Sequence, residues 1–117
     1  MPVPILKQGE ILIASIQAAL SDRDLVELRD ALADRIGRLR ARGVVIDVTA
    51  LDVLDSFATR TIRGIAYTAK LRGANTVVVG IQPDVAFAMV QLGLSLDGIA
   101  TALDLEEGML LLQHWPK

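Results

Sequence analysis

The chain contains no cysteine, which excludes disulfide staples, thiolate nucleophiles and Cys-ligated metal centres together. It also lacks any apolar run approaching the length of a membrane span. Its first ten residues, which include Pro2 and Pro4, have neither the basic nor the apolar segment of an export signal. A cytoplasmic protein without membrane contact is therefore expected. The glycines are scattered, and no G-x-G-x-x-G or Walker-type run occurs. A surplus of positive charge is missing too: 12 Lys and Arg stand against 14 Asp and Glu, a formal charge of -2, so nucleic acid is not an expected partner. The one basic stretch, Arg35, Arg38, Arg40 and Arg42, falls at the end of a predicted helix, where cations complement the helix dipole.

What the chain does have is hydrophobic residue, 52% of its 117 positions. That content supports a dense core and excludes a disordered tail. The length and even composition indicate one domain over residues 1–117, able to fold without a cofactor or metal.

Hydrophobic periodicity orders the elements. Pro4-Ile5-Leu6-Lys7 and Ile11 to Ile16, separated by a turn at Gly9, read as a β-hairpin. Ser21-Asp22-Arg23-Asp24 has the form of a capping box, and Leu25, Leu28, Leu32, Ile36 and Leu39 recur at helical spacing until Gly43. Gly43 to Val48 is a β-branched apolar run typical of a buried strand, parallel to the one before the helix. Ala58, Ile62, Ile65, Ala66 and Ala69 predict a second helix ending near Gly73, and Asn75 to Val79 a further strand. Pro83 opens a third helix through Val85, Met89, Val90 and Leu92. A short strand over Ile99 to Ala102 and a helix capped by Asp104, through Met109, Leu110 and Leu112, complete a β-β-α-β-α-β-α-β-α order. The expected class is α/β: a mixed, mostly parallel sheet with an N-terminal β-hairpin and about four helices. Function in such sheets gathers at the carboxyl ends of the strands, here Thr49 to Phe57.

Asp47 stands where a response-regulator receiver carries its phosphoacceptor. The acidic pair and the lysine that such chemistry needs are absent, so a loop-ordering carboxylate is the better reading. Ser56 is more informative. Asp55 is a preferred helix N-cap, which places Ser56 in the first turn with its hydroxyl redundant for capping. Phe57 falls about 100° from the core stripe and is expected at the surface edge, so that an aromatic ring flanks a free hydroxyl. The single His114, beside Trp115, has no partners for catalysis. Gly64, inside the second helix, is expected to mark close helix packing. No nucleophile, base and orienting group can be assembled, so an enzyme is not expected.

Pro4-Ile5-Leu6-Lys7, the Val44 to Phe57 block with Asp55-Ser56-Phe57, Gly80-Ile81-Gln82-Pro83 and Thr101 to Glu106 together resemble the STAS domains, the sulfate transporter and anti-sigma-factor antagonist family, and within it the stressosome scaffold type. The resemblance spans almost the whole chain. With Asp52, Asp55, Ser56 and Phe57 already the expected partner surface from the aromatic flank and the neighbouring carboxylates, it implies a non-enzymatic scaffold phosphorylated on Ser56 by an RsbT-type switch serine kinase. It further implies an RsbX-type phosphatase, RsbR-like STAS paralogues and a homo-oligomer or larger assembly. Thr59, a hydroxyl one turn after Ser56, departs from the family pattern and leaves open a second modification. The alternative from another class is a nucleotide- or small-ligand-binding module that uses the same helix start for an anion.

Overall fold

The structure, a computed structural model, describes residues 3–116. Within them, strands β1 (Ile5–Gln8), β2 (Ile11–Ser15), β3 (Gly43–Asp47), β4 (Asn75–Val79) and β5 (Ala100–Ala102) alternate with helices α1 (Asp22–Leu39), α2 (Ser56–Leu71), α3 (Pro83–Gln91) and α4 (Leu105–Gln113). The five strands form one sheet in sequence order. β1 runs antiparallel to β2, and each later pairing is parallel. The expected α/β class, hairpin and element order are all present.

Strand alternation divides the core into two layers. Leu12, Ala14, Val44, Ile46 and Val78 face one side, where Leu28, Leu32 and Ile36 of α1, Ile62, Ile65 and Ala69 of α2 and Val85 and Met89 of α3 cover them. Ile11, Ile13, Val45, Val77 and Val79 face the other side and pack against Leu105, Met109 and Leu112 of α4. Because β3 and β4 are covered on both faces, residues 44–46 and 77–79 are apolar in succession rather than alternating.

Several expected positions differ. Leu39, Val90, Leu92 and Leu110 are exposed at 40, 76, 70 and 51%. Each lies at a helix end or one residue past a position that packs on the core, and one residue of helix rotation turns a side chain about 100° away from it. Gly43 does not stop α1. Arg40 does, as a C-cap at φ 52, and Gly43 is already the first residue of β3. Gly64 has no packing role either, since a Cβ built there meets nothing within 4 Å. In α2 the fully buried first-turn position is Thr59 rather than Ala58, which is only partly buried.

Candidate functional site

The parallel sheet places the N-termini of all four helices beyond the carboxyl ends of the strands. Three connections meet there: residues 16–21 before α1, 48–55 before α2 and 80–82 before α3. They stay stitched to the sheet past the strand ends. The Ile16 N–H donates to the Asp47 carbonyl at 2.9 Å, Val48 N–H to the Val79 carbonyl at 3.0 Å and Gly80 N–H to the Ala102 carbonyl at 3.1 Å.

The 48–55 segment is shaped by its apolar residues. Val48, Leu51 and Leu54 are buried, so the backbone between them must expose Asp52 and Val53. Asp47, as expected, orders the start of this loop: its Oδ1 accepts from the Thr49 backbone N–H at 2.9 Å and from Thr49 Oγ1 at 2.6 Å. Gly80 lies against Thr49 at φ +80, and a Cβ there would collide with the Thr49 hydroxyl. Left-handed geometry and close backbone approach both require glycine at this position.

Asp55 caps α2. Its carboxylate accepts from the Ala58 N–H at 2.7 Å, so Ser56 becomes the first helical residue. The Ser56 side chain is exposed and its hydroxyl has no hydrogen-bond partner among the described residues. The capping carboxylate thus leaves the serine free, and the helix N-terminus beside it favours added negative charge. Asp52 and Asp55 are exposed at the same end, whereas Phe57 is partly buried rather than at the open surface. The sheet and the loop therefore leave Asp52, Asp55 and Ser56 exposed at one rim, with Phe57 partly buried at its edge.

Thr59 has a different environment. It is 1% exposed, and its Oγ1 donates to the Asp55 carbonyl at 2.8 Å. A kinase has no access to it in the folded chain.

Two contributors to this rim were not anticipated. Val53 is 58% exposed and stands beside an apolar notch of about 50 Å³ lined by Ile16, Leu20, Leu54 and Ala58. Its position between buried Leu51 and Leu54 was the signal in the sequence. Gln82 reaches from the 80–82 loop to the Thr49 carbonyl, a contact for which local sequence has no signal. Among the described residues there is no cluster of three or more potential metal ligands, and no helix is long and apolar enough to cross a membrane.

Comparison with known proteins is consistent with this geometry. RsbT co-antagonist protein RsbRA of Bacillus subtilis is 28% identical over 82 residues, 70% of this chain, and the chain spans 30% of that relative's length. A serine-to-glutamate variant of RsbS from Moorella thermoacetica superimposes with a TM-score of 0.82 at 37% identity, covering 95% of this chain and 94% of that one. A chain from the molecular architecture of the stressosome, described as a signal integration and transduction hub, matches with a TM-score of 0.78 at 37% identity over 94% of this chain and 96% of its own. The STAS domain family model covers residues 3–108, and the chain therefore belongs to the STAS domain family.

Proposed function

We propose that this chain is a non-enzymatic, cytoplasmic scaffold of the stressosome type, a single STAS domain over residues 1–117 that holds an RsbT-type serine kinase and releases it when Ser56 is phosphorylated. RsbR-like STAS paralogues are its assembly partners, in a homo-oligomer or larger complex, and an RsbX-type phosphatase restores the serine. The partner surface comprises Asp52, Asp55, Ser56 and Phe57. The observation that carries the reading is the exposed, unpartnered Ser56 hydroxyl at the first position of α2, with capping already performed by Asp55. The 37% identity to RsbS across nearly the full length of both chains supports it.

The physics of release is electrostatic. A phosphoserine adds about -1.5 to -2 charges. At the N-terminus of α2 that charge is favoured by about 0.3–1 kcal/mol, so the helix survives modification. The same charge, beside exposed Asp52 and Asp55, concentrates negative potential where a partner docks. Like charges at an interface cost several kcal/mol, and about 2.8 kcal/mol is enough for a hundredfold loss of affinity. The notch beside Val53, at about 50 Å³, is far smaller than the roughly 300–1,000 Å³ of small-molecule pockets, which weighs against a small ligand seated in that notch.

The test is calorimetric titration of the purified kinase against three forms of the chain. Ser56→Ala is expected to bind as the unmodified chain does and to resist release by ATP. Ser56→Asp is expected to keep the melting temperature within a few degrees and to lose affinity. Equal affinity of the Ala and Asp variants refutes the proposal.

A further inference from the structure

Ser56 stands at the head of an exposed stripe that runs the length of α2. Arg60, Arg63, Tyr67 and Lys70 follow at intervals of four, three, four and three residues, which places all five on one face. Each is exposed, and Ile62, Ile65 and Ala69 on the opposite face are buried. Among the described residues, none of the three cations has an ion pair or side-chain hydrogen bond. On α1, by contrast, Arg23, Arg29 and Arg38 are each paired with a carboxylate of their own helix. The stripe is thus a face of three cations without ion-pair partners among the described residues, with Asp97 lining the same groove, on a chain whose formal charge is -2. Gly64 lies between Arg60 and Tyr67 with open space where a Cβ would stand, leaving a shallow groove between this face and the Asp97–Ile99 turn.

We infer that this face of α2 is the cationic half of the surface that Ser56 controls, and that its occupant is an acidic segment of the partner protein. The inference rests on the kinase-release reading and explains its direction. Like-charge repulsion by the phosphate acts on a partner that is negative where it meets Ser56, and an acidic segment is also what complements Arg60, Arg63 and Lys70. Phosphorylation lowers the charge of the stripe from three positive to between about one and one and a half. It also places a dianion one turn before Arg60, the orientation that favours an intrahelical pair, so Arg60 is drawn toward the phosphate and away from the partner.

The experiment uses the full chain and purified RsbT-type kinase, titrated at low and at physiological salt. Arg63→Glu combined with Lys70→Glu is expected to weaken binding by about tenfold or more and to flatten its salt dependence. Arg23→Glu combined with Arg29→Glu on α1, which makes the same change in net charge, is expected to leave affinity unchanged. Should the glutamate pair on α2 fail to fold, Arg63→Gln with Lys70→Gln gives the same readout at smaller amplitude. If the α2 variants bind as tightly as the unmodified chain while Ser56→Asp still releases the kinase, the acidic-partner inference is overturned and the kinase reading stands. If the unmodified chain does not bind, or Ser56→Asp binds equally well, both are overturned.

Discussion

Gln82 Nε2 donates to the Thr49 carbonyl oxygen at 2.6 Å, joining two loops that are 33 residues apart in the chain. Thr49 is itself held from the other side by Asp47, so the loop that ends in Ser56 is clamped at its root by side chains from two strand ends. Gln82→Ala removes one such bond at an exposed site, with an expected cost of about 0.5–1.5 kcal/mol. The diagnostic readout is local: amide exchange should accelerate in residues 49–55 more than in α1. Uniform acceleration would show that the contact supports the whole fold rather than the loop.

Thr59 is buried and its hydroxyl is already engaged with the Asp55 carbonyl. Phosphopeptide mapping of the folded chain after incubation with kinase and ATP is therefore expected to find phosphate on Ser56 and none on Thr59. Thr59→Glu places an unpaired carboxylate in the core and should cost about 3 kcal/mol or more. A well-folded Thr59→Glu variant with an unchanged melting temperature would contradict this placement.

Thr76 lies in β4 at 6% exposure, and its Oγ1 is buried without a hydrogen-bond partner among the described residues. An unsatisfied buried hydroxyl costs about 1–3 kcal/mol. Thr76→Val keeps the β-branched shape and removes that penalty, so the variant should melt several degrees higher than the parent. A lower melting temperature would mean that the hydroxyl is solvated in solution.

The capping box of α1 is complete: the Asp24 N–H donates to Ser21 Oγ at 3.1 Å and the Ser21 N–H donates to Asp24 Oδ2 at 3.2 Å. Hydrogen bonding from the Ser21 side chain, and then from its backbone, lowers the Asp24 pKa below its ordinary 3.8. Because the folded-state pKa is depressed, the stabilisation is fully present above the unfolded value and fades as pH falls through the folded one. Ser21→Ala should destabilise the chain by about 1 kcal/mol near neutral pH. Its deficit relative to the parent should shrink in urea titrations below pH 3.8. A deficit that stays constant into acid would show that the Ser21 hydroxyl does not stabilise the Asp24 carboxylate.

Local signals carried far in this chain. The capping residues Ser21, Asp55 and Asp104 each accept the expected backbone N–H, because a cap is a contact across three residues and is written in adjacent letters. The placement of Ser56 at an exposed helix start was legible for the same reason. Helix orientation was less so. The stripe Ala58, Ile62, Ile65 and Ala69 is in phase, with Ala58 partly buried against the core, but the pattern did not show that Thr59, one residue on, is buried as well. A threonine whose hydroxyl bonds back to its own helix buries like an apolar residue, and composition does not reveal that bond.

The sequence by itself determined the alternation of strands and helices, the caps and the serine left free by one of them, since these depend on neighbours within a single turn or strand. Only the tertiary structure decided that α4 covers the second face of the sheet, that Gln82 secures the Thr49 loop, and that Gly80 must be glycine because Thr49 lies against it. Those relationships join residues separated by dozens of positions, and their energies exist only once the sheet has brought the strand ends together.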